Sequence, residues 1–412
     1  MKGFFQLIST GEFLDLIRRF TPLPSEDIPL ADALGRVTAE DVPAPEHLPP
    51  FARSTMDGFA VRARDTFGCG ETEPALFEIA GEISMGDPGE SCPVGPGKAC
   101  VIWTGGELPP GADAVVMLEY TTRIDDRTIE VFRPVAPGEN VIRRGEDFRK
   151  NEAVLPRGHR LRPQDLGVLA GLGITKVSVH RRPRVAIVST GDELLPVDRP
   201  LAPGKIRDIN STTLAALVAE CGGIPLARGI VSDHPETMRR ACREALEMPA
   251  DVILFSGGSS VGRRDYTLQI LTGLEDSELL AHGVSIRPGK PTILVRRGNT
   301  ALFGLPGHVG SAIVVFHILV RPLIRRFLGL DDSGLQRTRA LAGEPVPSAI
   351  GREDYVRVAL ARCAEPPGLR AAPIHGKSGL ISPLVRADGL LVIDRDTEGV
   401  DRGEEAEVIL LP

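Results

Sequence analysis

The sequence predicts a multidomain α/β and β protein, in which a parallel α/β domain is accompanied by an inserted β-rich domain, a connector domain and a C-terminal β domain. The chain has 412 residues, more than a single hydrophobic core normally holds. Apolar strand-like runs alternate with helical runs between 181 and 330, whereas the flanking regions carry short β-rich runs separated by Gly, Pro and Asp. The alternation is typical of a parallel α/β sheet, and the short runs are typical of separate β domains.

The α/β domain is predicted at 181–330. Strand-like runs such as "RVAIVST", "DVILFSGG" and "PTILVRR" alternate with the helical runs "STTLAALVAECGG" and "PETMRRACREALEM". Asn210 or Ser211 is the expected cap of the first helix. Asp233, with Glu236 three residues later, resembles a capping box for the second helix. A long apolar helix is expected to close the domain.

The remaining domains are placed around this one. An amphipathic helix within 1–47 and the helical run "RPQDLGVLAGLG" within 151–180 are interpreted as two halves of a discontinuous connector domain. The segment 48–150, with runs such as "KACVIWTGG" and "DAVVMLEY", then forms the inserted β-rich domain. Residues 331–412 return to strand-like runs and predict the C-terminal β domain.

Charge and cysteine content narrow the function. The formal net charge is -7, and the six cysteines are scattered without a C-x-x-C pair. This balance favours neither nucleic acid nor an anionic membrane surface as a partner, and no apolar run is long enough to span a bilayer. Scattered cysteines argue against a zinc ribbon and against a disulfide framework. A cytoplasmic protein is expected.

Three predicted strands end in polar, glycine-rich turns. They read "VSTGDEL" at 188–194, "FSGGSSVGRRD" at 255–265 and "FGLPGHVGS" at 303–311. Ligands of open parallel sheets bind at the carboxyl ends of the strands, where helix N-termini present free N–H groups to anions. One such turn is a weak indication, because tight strand-to-helix turns need glycine anyway. Three converging turns predict one pocket.

Charged residues accompany these turns. Those on or near the predicted rim are the carboxylates Asp192, Glu193, Asp233 and Asp265, and the basic Arg287 and Lys290 of "RPGKP". Carboxylates would repel a phosphate unless a hard cation lay between them, and Mg²⁺ is commonly held by one or two carboxylates plus phosphate oxygens. The pocket therefore predicts a phosphorylated ligand with Mg²⁺. Structural alternatives stay open: a helix cap for Asp233, a first-turn position for Asp192 and Glu193, and a surface ion pair for Asp265.

A second group of motifs lies in the β-rich region. It comprises "PPFARSTMDGFAV" at 49–61, "VIWTGGELPPGADAVVMLE" at 101–119 and "RRGEDF" at 143–148. Each places Asp or Thr in a turn beside Gly, which ordinary β-turn chemistry also produces. The residues alone therefore favour the structural interpretation here. His308, in "LPGHVG", is interpreted as a cap of the long helix in preference to a ligand contact.

In this order the motifs resemble the molybdopterin molybdenumtransferase family, which includes the bacterial MoeA proteins and the E domain of gephyrin. The resemblance covers nearly the whole chain. It implies insertion of molybdate into adenylylated molybdopterin, with Mg²⁺-dependent release of AMP, as the last step of molybdenum cofactor synthesis. It also implies a four-domain subunit whose α/β domain binds the pterin, and a homodimer in which the partner's β domain completes the cleft. A molybdopterin adenylyltransferase is a further candidate partner.

The resemblance assigns roles by motif. The expected catalytic positions are Asp57, Thr104, Asp147, Asp233 and Asp265, with Asp233 and Asp265 facing the nucleotide and Mg²⁺. The expected substrate-binding positions are Glu193, Ser256, Gly257, Gly258, Ser259, Gly262, Arg287, Lys290, Pro306 and His308. Within this set, 256–262 would cradle phosphate through backbone N–H groups, and Arg287 and Lys290 would hold molybdate or the terminal phosphate.

The chain also departs from the family's usual pattern. His308, Val309 and Gly310 stand where Asn-Pro-Val usually follows "GLPG", and Arg287 stands where Lys is usual. These differences keep two alternatives open, a paralogue that prefers tungstate and a non-catalytic molybdopterin-binding or scaffold protein. Retention of the charged pocket residues argues against a purely structural role.

Overall fold

The computed structural model describes residues 6–257, 266–331, 334–363 and 368–412, and the chain divides into two compact units. The first, here the α/β unit, comprises Met1–Glu26, Gly35–Ala39 and Ser178–Pro412. The second, here the β-rich unit, comprises Asp27–Leu34 and Glu40–Val177. The finer boundaries of the four expected domains stay a prediction.

The helices of the described residues are short. They are α1 (Thr10–Ile17), α2 (Pro163–Gly171), α3 (Asn210–Glu220), α4 (Pro235–Glu247), α5 (Tyr266–Thr272), α6 (Val309–Val315), α7 (Arg321–Phe327) and α8 (Ser382–Val385). A π-helical turn, Phe316–Val320, joins α6 to α7, so the expected long closing helix consists of three segments. None of the helices in these described ranges combines the length and apolar character needed to cross a bilayer.

A six-stranded sheet forms the centre of the α/β unit. Its strands are β1 (Arg184–Thr190), β2 (Ile224–Val231), β3 (Val252–Ser256), β4 (Ser277–His282), β5 (Ile293–Arg297) and β6 (Thr300–Leu305). The spatial order is β2-β1-β3-β6-β5-β4. The pairs β1–β2, β1–β3 and β3–β6 are parallel, which confirms the predicted α/β class.

The sheet becomes antiparallel at β5 and β4, which the prediction of a purely parallel sheet did not include. Only Gly298 and Asn299 separate β5 from β6, and a two-residue turn can join antiparallel neighbours but not parallel ones. Gly298 adopts a φ of 59°, as such hairpin turns require.

Aromatic contacts tie α1 into the core of the α/β unit. The ring of Phe13 lies 6.2 Å from that of Phe303 on β6, and Phe20 meets Phe327 edge-on at 5.9 Å. A capping box starts α1, because the Ser9 N–H donates to the Glu12 carboxylate over 2.7 Å and the Glu12 N–H donates to Ser9 Oγ over 3.2 Å. Helix α1 therefore packs with the sheet of the α/β unit.

The C-terminal region is a β domain, as predicted. Glu353–Cys363 pairs antiparallel with both Gly368–Pro373 and Gly389–Ile393, which closes the strands into a barrel. Ile286–Arg287, from the loop before β5, adds to this sheet by pairing with the start of Glu353–Cys363. The remaining barrel strands are Arg337–Ala342 and Glu405–Leu410.

The β-rich unit is organised by its own six-stranded sheet. In spatial order its strands are Ala114–Met117, Gly58–Val61, Lys98–Ile102, Ala75–Ile83, Thr128–Val131 and Thr121–Arg123. Phe59, Phe77 and Val116 belong to its fully or nearly fully buried core. Shorter strands elsewhere in the chain are Ser25–Pro29, Val42–Pro43, Arg53–Ser54, Val141–Ile142, Ala153–Leu155, Lys176–His180, Leu194–Leu195, Ile206–Arg207, Val346–Pro347 and Gly399–Val400.

The predicted caps of α3 and α4 are wrong. The Ser211 N–H donates to Asp208 Oδ1 over 3.1 Å, so a carboxylate upstream of both predicted residues caps α3. At α4 the cap position is His234, which makes no side-chain capping bond, and the expected box of Asp233 and Glu236 does not form. Neither Asn210 nor Asp233 therefore caps a helix.

Candidate active site

A cavity of about 750 Å³ opens at the carboxyl ends of the parallel strands in the α/β unit. Thr190 ends β1, Asp233 follows β2, Ser256 ends β3 and Pro306 follows β6, and all four line this cavity. Because parallel strands run in the same direction, their carboxyl ends meet at one edge of the sheet. The three glycine-rich turns thus meet where the sequence predicted one pocket.

The cavity gathers most of the predicted α/β site residues that the structure describes. Those lining it are Glu193, Asp233, Ser256, Gly257, Pro306 and His308. Arg287 and Lys290 do not line it, although Pro291 beside them does. Gly258, Ser259, Gly262 and Asp265 lie outside the described residues.

Asn210 links two of the strand-end turns, a role that the sequence reasoning missed. Its Nδ2 donates to Ser256 Oγ over 2.6 Å and to the Gly307 carbonyl over 2.8 Å. It therefore holds the turn after β3 beside the turn after β6. The signal available in the sequence was an Asn at the start of a helix, which capping explained equally well.

Asp192 links the turn after β1 to the turn after β2. The Asp233 N–H donates to Asp192 Oδ1 over 3.2 Å, and Lys205 Nζ donates to the Asp192 carbonyl. The Asp233 backbone is therefore positioned by a neighbouring carboxylate. The side chain of Asp192 thus has a structural role, because it connects the turn after β1 to the turn after β2.

Arg287 is engaged with the C-terminal barrel. Its Nη1 lies 3.3 Å from Asp354 Oδ2, and Arg352 Nε lies 2.9 Å from Asp354 Oδ1. The side chain of Asp354 is only 3% exposed, whereas that of Arg287 is 61% exposed. A buried carboxylate shared by two guanidinium groups holds Arg287 in place while leaving most of its surface accessible to solvent.

The residues that depart from the family pattern make contacts of their own. His308 Nδ1 lies 2.9 Å from Ser378 Oγ, and the Gly310 N–H donates to the Ser378 carbonyl over 2.9 Å. A Cβ on Gly310 would lie 2.8 Å from that carbonyl oxygen, so the close approach depends on glycine. His308 is at the cap position of α6 but makes no capping bond, and its side chain binds the 376–380 loop instead.

In the β-rich unit, Asp57 and Thr104 are brought together. Both the Thr104 N–H and its hydroxyl donate to Asp57 Oδ1, each over 2.8 Å. These two bonds, the backbone one first, hold the pKa of the Asp57 carboxyl below its ordinary value. Asp57 is therefore an ionised, oriented and solvent-exposed carboxylate.

Asp147 lines a second cavity of about 750 Å³ in the β-rich unit, together with Arg143, Arg144 and Arg149. Glu146 and Glu152 also line it, but each accepts a backbone N–H, from Arg143 and Arg149 respectively. Across the described ranges the three guanidinium groups form no ion pair. The three guanidinium groups can therefore contact an anion, and they share the cavity with three carboxylates.

The carboxylates of the α/β cavity bear on whether Mg²⁺ could bind there. Within residues 6–257, 266–331, 334–363 and 368–412, no group of three or more His, Cys, Asp or Glu side chains is placed to hold a metal ion. Glu193, Asp208 and Asp233 do line the same cavity. This donor set fits a hard cation that takes one or two protein carboxylates and completes its shell with ligand oxygens.

The fold and the two cavities define a multidomain α/β protein that has a pocket at the carboxyl ends of parallel strands, where such sheets bind their ligands, and a separate cleft lined by arginines and carboxylates. Three family descriptions match the chain in sequence: "MoeA N-terminal region (domain I and II)" at 8–173, "Probable molybdopterin binding domain" at 186–326 and "MoeA C-terminal region (domain IV)" at 339–411.

Named relatives agree with these matches. The molybdopterin molybdenumtransferase of Bacillus subtilis is 34% identical, over 94% of this chain and 90% of its own length. That of Haemophilus influenzae is 33% identical, over 94% of each chain. The crystal structure of the molybdopterin biosynthesis MoeA protein from Pyrococcus horikoshii OT3 superposes with a TM-score of 0.85 at 32% identity, covering 98% of this chain and 100% of that one. The chain belongs to the MoeA family of molybdopterin molybdenumtransferases, which confirms the resemblance.

Proposed function

We propose that this chain transfers molybdenum from molybdate to adenylylated molybdopterin and releases AMP. As a member of a transferase family, it functions in molybdenum cofactor biosynthesis, and the tungstate-preferring alternative is not favoured by its relatives. The observation that carries the proposal is the strand-end cavity, whose lining residues, apart from Gly379, lie inside the region matched by the molybdopterin-binding domain family.

The chemistry of the cavity walls supports this substrate. Ser256, at the end of β3, lines the cavity, and its hydroxyl, which accepts a bond from Asn210, can donate to a phosphate oxygen. Leu194, Ile206 and Ile209 add an apolar wall, on which a flat heterocycle can lie. One cavity thus offers contacts to both parts of a nucleotide-linked pterin.

Release of AMP requires cleavage of a phosphoanhydride bond while several negative charges are held close together. Mg²⁺ bound by Asp233, and by Asp265 outside the described residues, would screen that charge. Arg287 is proposed to contact molybdate, because its pairing with Asp354 leaves the guanidinium oriented and largely exposed. Lys290 is proposed to share this role.

The β-rich unit contributes the second set of proposed catalytic groups. Asp57 is ionised and fixed by Thr104, so it can orient a water molecule without rearranging. Asp147 lies among arginines that can attract the anionic substrate. A homodimer in which these groups act on the cavity of the partner subunit is proposed, together with a cytoplasmic location and delivery of substrate by a molybdopterin adenylyltransferase.

AMP release from adenylylated molybdopterin tests the function directly. The purified chain should release AMP when molybdate is added, and should do so faster with Mg²⁺ than with EDTA. Tungstate at the same concentration is the control for oxyanion preference. Binding of the substrate without release of AMP would refute the transferase and support a carrier or scaffold.

Mixing two inactive variants tests the proposed homodimer. Asp57→Asn and Asp233→Asn change groups in the β-rich and α/β units, and each alone should lose turnover. Co-expressed chains should recover part of it, because some dimers then contain one cleft with both native carboxylates. Absence of recovery in mixed dimers, isolated with two different tags, would contradict a shared cleft.

A further inference from the structure

Among the buried hydroxyls of the α/β unit that have no hydrogen-bond partner within the described ranges, which are those of Ser189, Thr190, Thr267 and Ser348, only that of Thr190 belongs to a residue lining the cavity. Thr190, the last residue of β1, is 4% exposed, and its Oγ1 has no hydrogen-bond partner within the described ranges. The same residue lines the cavity. Buried hydroxyls normally find a partner, because an unsatisfied one has lost its bonds to water without replacement.

The backbone beside Thr190 places no side chain against this buried hydroxyl. A Cβ on Gly257 would lie 2.4 Å from the Thr190 carbonyl oxygen and 2.8 Å from Thr190 Oγ1. Gly257 also has a φ of 108°, which side-chain-bearing residues rarely adopt. Glycine at 257 therefore allows the turn after β3 to pass Thr190 without a side chain against its hydroxyl.

We propose that the Thr190 hydroxyl is a ligand-binding group that donates a hydrogen bond to a phosphate oxygen of the bound nucleotide. The proposal rests on the proposed function and names one further contact in the same cavity. Thr190 lies at the carboxyl end of a strand with parallel neighbours on both sides, which is where phosphates bind in such sheets.

The surrounding charges favour a hydroxyl as the donor. Glu193 and Asp233 line the same cavity, and an ionised carboxylate only accepts hydrogen bonds. A threonine hydroxyl can donate to an anionic oxygen without adding negative charge. Ser256 Oγ accepts a bond from Asn210, whereas Thr190 Oγ1 forms no bond within the described residues.

Threonine-to-valine substitution separates this role from a structural one. In Thr190→Val the cavity loses the hydroxyl but keeps nearly the same volume, so the free protein should be stabilised, with a rise in Tm of about 2 °C. The Kd for AMP, measured by calorimetric titration with MgCl2, should rise about tenfold, the loss expected for one hydrogen bond to phosphate. Thr190→Ser should bind AMP like the wild type. Thr190→Ala removes the hydroxyl without adding a methyl group, and should also weaken AMP binding.

Two matched controls lie in the same unit. Thr292 Oγ1 donates to the Gly289 carbonyl over 2.7 Å, so Thr292→Val should lower the Tm and leave the Kd for AMP unchanged. Thr267 is 1% exposed and its Oγ1 has no partner within the described ranges, but Thr267 is not a lining residue of the cavity. Thr267→Val should therefore raise the Tm without any change in AMP affinity.

Adenosine and inorganic phosphate identify the part of the ligand that is contacted. Adenosine should bind Thr190→Val and the wild type equally, whereas phosphate should lose affinity for the variant. An equal loss for adenosine and AMP, an unchanged Kd for AMP, or absence of AMP binding by the wild type would each overturn the proposal. Wild-type turnover with molybdate is scored separately, so a failure of the Thr190 contact is distinguishable from a failure of the transferase function.

Discussion

The two cavities of this protein are organised in opposite ways. In the β-rich unit, the glutamates that line the cavity beside Asp147 accept N–H groups three residues away, whereas Asp57, which is not a lining residue of this cavity, receives its bonds from Thr104, 47 residues away. In the α/β unit, Asn210 reaches Gly307 and His308 reaches Ser378, which are distant along the chain. The Asp147 cavity is held mainly by turns, whereas the α/β cavity depends on packing between segments far apart in sequence.

This difference predicts how each site fails. Turn-held carboxylates keep their geometry when a distant segment is disturbed, because the chain itself keeps the partners close. A cavity rim that is formed by segments distant in sequence changes its geometry when one hydrogen bond between those segments is removed. Substitutions in the Asp147 cavity should therefore affect chemistry without affecting stability, and substitutions at the α/β rim should affect both.

The largest effect is expected at Asp57. Asp57→Asn should lower AMP release by about two to three orders of magnitude, the loss typical of one preorganised electrostatic group. Its Tm should stay close to that of the wild type, because the side chain is exposed. Asp125 is a matched control, since it is also exposed and accepts a turn N–H, from Arg127 over 2.7 Å. Similar loss of turnover in Asp125→Asn would show that Asp57 acts only through the fold.

As the pH falls, the two units should lose stability in different pH ranges. Burial, with Arg321 nearby, lowers the pKa of His317 in the α/β unit to about 4. Since the unfolded chain then binds more protons, stability should fall by about 3 kcal/mol as pH falls from 7 to 4. In the β-rich unit, Arg162 and His159 hold the pKa of Asp165 below its ordinary value, so that contribution is lost only at pH values below about 4.

Hydrogen exchange of each unit at pH 7, 5 and 3 measures this contrast. Exchange should first increase around the π-helical turn and only at the lowest pH around α2. His317→Phe should remove the loss between pH 7 and 4. Loss of protection in both units at the same pH, or an unchanged pH dependence in His317→Phe, would contradict the assignment.

Restoring the family's usual valine at 310 should disturb the rim by a smaller amount. In Gly310→Val the new Cβ would meet the Ser378 carbonyl, so the 376–380 loop should move at a cost of about 2 kcal/mol. Limited proteolysis of that loop measures the effect. Gly167→Val is the control, since this helical glycine has nothing within 4 Å of its Cβ position. Equal protease sensitivity in the two variants would mean that valine lowers stability through helix propensity alone.

The smallest effect is expected at Asn210. Asn210→Ala removes two bonds between strand-end turns and should cost about 1 kcal/mol of stability, together with a lower affinity for AMP. Asn299 is the matched control, because it exchanges two bonds with the Thr21 backbone elsewhere in the same unit. Asn299→Ala should lose similar stability with unchanged AMP affinity. A selective loss of affinity in Asn299→Ala instead would contradict a local role for Asn210.

The sequence by itself determined the α/β and β classes, the family and the pocket at the strand ends. Strand and helix periodicity is a local property, and parallel strands must present their carboxyl ends at one edge, so Glu193, Asp233 and Ser256 could be placed together without coordinates. The Gly298–Asn299 dipeptide between two strand-like runs also indicates a β-hairpin, although the sequence was interpreted as a parallel sheet.

Tertiary structure decided which side chains complete the rim. The sequence suggested a helix cap for Asn210 and for His308, and a ligand contact for Arg287. In the structure Asn210 binds Gly307 and His308 binds Ser378. Arg287 pairs with Asp354. Each partner lies more than sixty residues away. The bonds follow from how the C-terminal barrel and the sheet edges pack, which no local pattern encodes. The unpaired hydroxyl of Thr190 is of the same kind, because only the assembled core shows that nothing in the described chain binds it.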